Sequence, residues 1–192
     1  MITERIVISD TNIILDLLFL NMLDDFFSLP CDICTTDLVI DEIVQPAQQK
    51  IIDSFVKSRK LEVVQFSPSE FSNITNLFVM NPNNASLTDC SVWYYAKQTN
   101  GRLLTGDGKL RKAAENDNVK VSGILYVFDN LIEYGILSEK DAADLLENLM
   151  KINMRLPKDE CEKRILSWRN ISLQSNSPNV KLTITSNNRS QK

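Results

Sequence analysis

The chain has 192 residues, of which 43% are hydrophobic and 24% are charged, with a formal net charge of −4 and no histidine. These values are typical of a soluble globular domain, and the acidic balance argues against nucleic-acid binding through bulk positive charge. The lack of histidine excludes Ser-His and Cys-His nucleophilic catalysis and His-ligated metal sites, so a metal would need oxygen ligands, which suit Mg²⁺ or Mn²⁺.

The first feature in chain order is an apolar, β-branched run from Ile6 to Ile8 that leads into Ser9 and Asp10. Such a run predicts a central strand that is buried on both faces of a parallel sheet. Ligands of open α/β sheets bind beyond the carboxyl ends of the strands, so Asp10 is placed at a functional edge. Taken alone, Asp10 could equally be the N-cap of the helix that follows.

Strands and helices then alternate, which is typical of a three-layer α/β/α sandwich around a parallel sheet. We predict further strands over 31–35, 61–66, 102–105 and 119–121. We predict helices over 13–20, around Glu42, and over 47–56, 67–80, 86–100, 109–116 and 124–134. Capping boxes at Ser67 and Ser86 begin two of these helices, and Gly101 is predicted to cap the end of the second.

The sequence changes in character at Ser138, which is predicted to cap a helix. Pro157 opens another helix that is expected to end near Arg169, so the sheet would carry a C-terminal helical appendage. We therefore divide the chain into a sheet domain (1–136), a helical extension (137–170) and a polar, flexible tail (171–192).

The longest apolar stretch, Ile13 to Leu23, is interrupted by Asp16 and Asn21 and is shorter than the ~20 residues of a membrane helix. The N-terminus shows no secretory apolar region, so we expect a cytoplasmic protein with reduced cysteines.

Cys31 and Cys34 form a C-x-x-C motif within a predicted strand, whereas Cys90 and Cys161 are single and distant. This spacing favours buried packing of all four over a zinc or redox site.

Four acidic residues fall where the carboxyl edge of the sheet is predicted, namely Asp10, Glu42, Asp89 and Asp107. Each of them also has an ordinary explanation. Asp89 can be the acid of a capping box, and Asp107 lies between two turn glycines. Glu42 follows Val39 by three residues and is predicted to share its apolar helix face, unless Glu42 is a surface residue and Asp41 points inward.

The segments around these acids resemble the PIN domain of metal-dependent ribonucleases, over about residues 5 to 130. The resemblance rests on Ile8-Ser9-Asp10-Thr11-Asn12, Val39-Ile40-Asp41-Glu42-Ile43, Leu87-Thr88-Asp89 and Leu104-Thr105-Gly106-Asp107. It implies a central five-stranded parallel sheet and an acidic pocket built by Asp10, Glu42, Asp89 and Asp107. The implied metal ligands are Asp10, Asp89 and Asp107, and Asn12 and Thr105 match positions that orient the pocket.

Carboxylates brought together repel one another, and Mg²⁺ or Mn²⁺ would neutralise them while lowering the pKa of a bound water. This chemistry needs no histidine. Basic residues near Asp107 are candidates for contacts to RNA phosphates: Arg102, Lys109, Arg111 and Lys112. For any one of them, a solvated helix face is an equally good explanation.

We therefore interpret the chain as a Mg²⁺- or Mn²⁺-dependent ribonuclease. The resemblance also implies a homodimer and, because the best-known bacterial members are toxins of the VapC type, an antitoxin partner. The extension from about Ser138 departs from those shorter toxins. One alternative is a PIN-like module with a weak or silent site that binds RNA or protein. A receiver-like phosphoacceptor domain is disfavoured, because Phe66-Ser67-Pro68 provides no aspartate after the third strand.

Overall fold

The computed structural model of the protein describes residues 4–9, 11–80 and 84–175, with side chains described as far as residue 170. Asp10 and the tail from residue 176 therefore lie outside the described residues. Over this part of the chain the elements are β1 (Arg5–Ile8), α1 (Thr11–Phe19), α2 (Leu23–Phe26), β2 (Asp32–Thr36), α3 (Asp37–Asp41), α4 (Pro46–Lys57), β3 (Glu62–Val64), α5 (Pro68–Met80), α6 (Leu87–Thr99), β4 (Arg102–Leu104), α7 (Gly108–Asn116), β5 (Lys120–Ser122), α8 (Ile124–Glu133), α9 (Glu139–Ile152) and α10 (Lys158–Ser175).

The strands form one parallel sheet in the order β3-β2-β1-β4-β5. β1 is central, because Val7 lies opposite Cys34 of β2 on one side and opposite Leu103 of β4 on the other. Ile6, Val7 and Ile8 are fully buried. The predicted five-stranded α/β/α sandwich and its buried central strand are confirmed. The strand order reverses between β1 and β4, which is where α/β sheets of this kind bind their ligands.

Hydrophobic cores cover both faces of the sheet. On one face Val7 and Leu103 pack with Val92 of α6 and Leu110 of α7. On the other face Ile6 and Ile8 belong to a core that includes α1 and α8, because side chains alternate between the faces of a strand.

The C-terminal helices α9 and α10 belong to this second core. Leu146 and Cys161 are fully buried in it, and the ring of Trp168 stacks on that of Phe128 in α8 with centroids 6.0 Å apart. The predicted helical appendage is present, and its apolar face packs against the sheet domain. The division of the chain at residue 136 stays a prediction.

Both predicted capping boxes are confirmed. The Ser67 amide donates to the Glu70 carboxylate at 2.8 Å. In the second box, the Ser86 amide donates to the Asp89 carboxylate, and the Asp89 amide donates to the Ser86 hydroxyl. The prediction for Gly101 was wrong, because Asn100 takes the left-handed position at the end of α6 with φ 51°. Asparagine tolerates this conformation. Gly101 is instead a point of close approach, since a Cβ there would lie 3.2 Å from the carbonyl oxygen of Arg5.

Two helices differ from the sequence-based prediction. The short helix α2 was not predicted, because four residues are too few to show a helical period. α10 continues to Ser175, beyond the predicted end near Arg169. Within the described residues, no helix combines the length and apolar character that a membrane span requires.

None of the four cysteines, all of which lie in the described part of the chain, forms a disulfide. Cys34, Cys90 and Cys161 are buried, as predicted, and Cys31 is half-buried. Burial raises the pKa of Cys34 to about 12, so its thiol is a poor nucleophile at neutral pH. The C-x-x-C motif therefore contributes small apolar side chains to the sheet.

Candidate functional site

Buried polar side chains gather at the carboxyl edge of the sheet. Within the described part of the chain, the buried polar residues are Ser9, Thr35, Thr36, Ser91 and Thr105. Four of them end or directly follow β1, β2 and β4, and Ser91 lies on α6 against the same edge. Buried hydroxyls need partners, so this concentration marks the edge as a built site.

Hydrogen bonds clamp the strand ends together. Ser9 donates through its hydroxyl to the Leu104 carbonyl at 3.1 Å, and the Thr35 hydroxyl donates to the Ile8 carbonyl at 2.9 Å. The first bond joins β1 to β4, and the second joins β1 to β2. Both lie just beyond the last paired residues of these strands. The edge is thus rigid, which a catalytic site requires.

Asp107 follows β4 and forms the N-cap of α7. Its Oδ1 accepts bonds from the amides of Lys109 at 2.6 Å and Leu110 at 3.0 Å, while its own amide donates to the Thr105 hydroxyl at 3.0 Å. Thr105 therefore fixes the backbone at Asp107, and its role in orienting the acidic pocket stays a prediction. An ionised carboxylate offers about four acceptor positions, so the cap leaves Oδ2 of Asp107 able to accept a further ligand.

Asp89 lies in the first turn of α6 and serves the capping box. Its Oδ2 accepts a bond from the Ser86 amide at 2.9 Å. The hydroxyls of Thr36 and Ser91 are 2.9 Å apart and hold the start of this helix at the carboxyl end of β2. The start of α6 therefore lies at the carboxyl end of β2, and the capping-box explanation of Asp89 is confirmed, whereas its role in the acidic pocket stays a prediction.

The predicted inward orientation of Glu42 was wrong. Helix α3 ends at Asp41, and Glu42 is its C-cap with an exposed side chain. Val39 and Ile43, which are 0% and 4% exposed, carry the buried face instead. Asp41 is also exposed, so neither acid of this pair points inward.

Three of the four predicted acids, Glu42, Asp89 and Asp107, lie within the described residues. Among the described residues, no three Asp, Glu or Cys side chains form a group that could hold one metal ion. Glu42, Asp89 and Asp107 thus do not make such a group without a further ligand. Asp10, which completes the predicted set, lies outside the described residues, and the four-acid pocket stays a prediction.

A cavity of about 1080 Å³ opens at the edge where the strand order reverses. Asn12, Thr105 and Asp107, which were singled out from the sequence, line it together with Arg111. The opposite wall is the turn between α9 and α10, which contributes Arg155 among other residues. The sequence analysis missed this wall, because the amino acids of residues 153–157 do not indicate which part of the protein the turn packs beside.

The four candidate phosphate-binding residues have different surroundings. Arg111 lines the cavity, and its Nη2 donates to the Thr105 carbonyl at 3.2 Å in space left by Gly123. Lys109 and Lys112 are exposed on the same helix.

Arg102 is used by the fold at the start of β4. Its Nε donates to the Glu4 carboxylate at 3.0 Å, and its guanidinium lies 4.4 Å from the ring centroid of Tyr126. Burial, followed by the hydrogen bond to Glu4, raises the pKa of Tyr126 to about 12. Arg102 and Tyr126 both donate hydrogen bonds to the Glu4 carboxylate. We therefore assign Arg102 to the stability of the fold instead of phosphate binding.

The chain is similar to the crystal structure of FitAcB from Neisseria gonorrhoeae, with 14% identity and a TM-score of 0.41 over 63% of this chain and 99% of that one. A comparison with curated proteins gave no match. A family model described as PIN domain matches residues 6–170, which include both the sheet and the C-terminal helices. The chain therefore belongs to the PIN domain family.

Proposed function

We propose that this protein is a ribonuclease that hydrolyses phosphodiester bonds of RNA with a divalent ion, Mg²⁺ or Mn²⁺. The observation that carries the proposal is the large cavity at the strand-order reversal, which Asp107, Asn12 and the buried Thr105 line. Membership of the PIN domain family supports it and sets aside the receiver-like alternative.

The donor set suits a hard cation, because the chain has carboxylate, amide and hydroxyl oxygens at this edge and no histidine. Asp10 and Asp107 would be the principal ligands, with Asp89 as a further ligand. When bound, a divalent ion would lower the pKa of a bound water and offset the charge on the carboxylates and phosphate.

The chain's own residues would position the reacting groups. Thr105 fixes the backbone at Asp107 through the 3.0 Å bond to its amide, and Asn12 lines the same cavity. Arg111, Lys109 and Lys112 lie on the helix that begins at Asp107 and would contact phosphates of the RNA. Exposed lysines give charge without fixed geometry, whereas the anchored Arg111 gives a fixed direction.

Asp107→Asn is the sharpest test, because asparagine is also a good N-cap and keeps the fold while removing the charge. We expect Asp107→Asn and Asp10→Asn each to lower Mg²⁺- or Mn²⁺-dependent cleavage of RNA by about 100-fold or more, in line with the loss of a key electrostatic group. Asp53→Asn, an exposed acid on α4, is the matched control and should cleave normally.

Wild-type cleavage by both site variants would refute the proposed site. Cleavage that persists in a chelator would refute the role of the divalent ion. RNA binding by the wild-type protein without any cleavage would identify the silent PIN-like module instead.

From the family resemblance we further propose a homodimer and, if the protein acts as a toxin, an antitoxin partner. Light scattering of the purified protein measures the first. The toxin role, on which the antitoxin partner depends, is tested by expression in cells. Expression of the wild-type chain should arrest growth, and expression of the Asp107→Asn chain should not. Growth arrest by both chains would show that the toxicity does not depend on the proposed site.

A further inference from the structure

We propose that the turn between α9 and α10, residues 153–157, binds the sugar-phosphate backbone of single-stranded RNA, with Arg155 as its phosphate contact. This inference rests on the proposed function and assigns it a substrate-binding wall. The turn lines the same cavity as Asp107 and Asn12, opposite the sheet edge. A strand of RNA that places a phosphodiester at Asp107 can therefore contact this turn.

The turn is fixed before any ligand binds. The amide of the Asn153 side chain donates to Asp16 Oδ2 at 2.7 Å, which ties the turn to α1, the helix that carries Asn12. Asn153 Oδ1 accepts a bond from the Arg155 amide at 3.0 Å, which sets the direction of the chain at Arg155. A preformed wall binds at a lower entropic cost than a loop that must be ordered.

Three guanidinium groups line the cavity, and they differ in what they contact. Arg164 donates to both oxygens of Asp129, to Oδ1 at 3.2 Å and to Oδ2 at 3.1 Å, and also pairs with Glu160 at 3.3 Å. Arg111 is held by the Thr105 carbonyl and by Glu115. Arg155 is exposed, and no described residue forms an ion pair with it. It is the guanidinium of this cavity that is available to an external anion.

Two acids of the cavity wall, Glu160 and Asp16, already have partners. Glu160 pairs with Lys163 at 2.9 Å and with Arg164, and the bond from Lys163 is the main cause that holds its pKa below the usual range. Asp16 accepts the bond from Asn153. Repulsion of a phosphate approaching Arg155 is therefore reduced by these pairs.

Apolar side chains flank Arg155 and favour a nucleotide over a small inorganic anion. Met154 is 86% exposed and Ile152 is 52% exposed, and both line the cavity. A cation beside exposed apolar groups matches a nucleotide, which presents a charged phosphate and a flat base face. The cavity of about 1080 Å³ exceeds the space that one drug-sized ligand needs, so it suits a chain of nucleotides.

The test measures binding of the full chain to a fluorescent single-stranded RNA oligonucleotide of mixed sequence, in a chelator and over a range of salt concentrations. We expect Arg155→Ala to weaken binding by about 3- to 10-fold and to lower the slope of log K against log salt by about 0.7, the value of one phosphate contact. Arg155→Lys should keep most of the slope. Lys151→Ala removes an exposed cation of α9 outside this cavity and should change little.

Unchanged binding by Arg155→Ala, an equal loss in Lys151→Ala, or no RNA binding by the wild-type chain would each overturn this inference. Competition by polyglutamate as effective as by RNA would also overturn it and indicate a surface for acidic proteins. The two proposals fail separately. RNA binding that depends on Arg155 but is not followed by cleavage refutes only the proposed nuclease activity. Normal cleavage with RNA binding that does not depend on Arg155 refutes only the proposed role of the turn.

Discussion

The hydroxyl of Thr36 lies 2.9 Å from that of Ser91, and both side chains are fully buried. Ser91 donates its own proton to the Thr88 carbonyl at 2.7 Å, so Thr36 donates to Ser91. This directed pair joins the last residue of β2 to α6 and holds the helix that carries Asp89 against the sheet edge.

Removing both members of this pair should cost less than the sum of the two single removals. Ser91→Ala leaves the Thr36 hydroxyl without its partner, at an expected cost of about 1–3 kcal/mol in the free energy of unfolding. Thr36→Val combined with Ser91→Ala leaves no unpaired hydroxyl, so the double variant should be less destabilised than the sum. Urea unfolding of the four proteins measures the coupling. Strictly additive costs would show that the hydroxyls act independently.

Asp107 should show separable structural and functional roles. Asp107→Ala removes the N-cap of α7 and should lower the free energy of unfolding by about 1 kcal/mol, whereas Asp107→Asn should leave it almost unchanged. Both variants should lose RNA cleavage. Thermal unfolding and a cleavage assay on the same preparations make the comparison. Parallel losses of stability and activity in the two variants would contradict this separation.

The sequence predicted most of the fold because its signals are local. The β-branched run at Ile6–Ile8 indicated a strand buried on both faces, and the capping boxes at Ser67 and Ser86 placed two helix starts. Gly101 was assigned wrongly, since the end of α6 depends on a left-handed Asn100 and on the distance to the Arg5 carbonyl in β1. That distance is set by tertiary packing, which no local pattern reports.

The candidate site was less predictable than the fold. Thr105 and Asp107 are close in sequence and interact through the turn, so a local motif can indicate their contact. Glu42 was oriented wrongly, because a helix of five residues does not establish a face over a full period. The wall with Arg155 joins residues far apart in the chain, so it becomes visible when α9 and α10 are packed on the sheet.

Gly101→Ala should destabilise the protein, because the new Cβ would crowd the Arg5 carbonyl at 3.2 Å and the Thr99 hydroxyl at 3.1 Å. Overpacking of this kind costs about 1–3 kcal/mol. Asn100→Gly is the neighbouring control, and it should be neutral or slightly stabilising because glycine favours a positive φ. Chemical unfolding compares the two. A larger loss in the free energy of unfolding for Asn100→Gly than for Gly101→Ala would contradict the structural roles given to these two residues.

Trp168→Ala should lower the free energy of unfolding by about 3–5 kcal/mol, because it leaves a cavity in the core shared with Phe128. Since α10 and the sheet share this core, unfolding should remain one cooperative transition at a lower denaturant concentration. Leu166→Ala, at a residue that is 64% exposed, should change stability by less than about 0.5 kcal/mol. A separate early transition in the Trp168 variant would show that the C-terminal helices unfold as an independent unit.

The capping box of α5 should give a pH-dependent signal. Hydrogen bonds from Ser67 hold the pKa of Glu70 below its usual 4.5. A depressed carboxyl pKa means that the stabilisation of α5 is present above about pH 4.5 and is lost as the pH falls through the folded-state pKa. NMR titration of the Glu70 carboxyl should show the lowered midpoint, and Ser67→Ala should raise it toward the usual value without restoring it fully, because the bond from the Ser67 backbone amide remains. Equal midpoints in the two proteins would contradict the role of Ser67.

The central position of β1 has a consequence for the synthesis of the protein. Ile6 pairs with Arg102, so a nascent chain acquires the second neighbour of its first strand only after about half of its length has been made. Until then one hydrogen-bonding edge of a very apolar strand has no partner, which favours association with other chains. Fragments that end before β4 should therefore aggregate on release from the ribosome, and chaperones should be most needed during translation of the segment between β2 and β4.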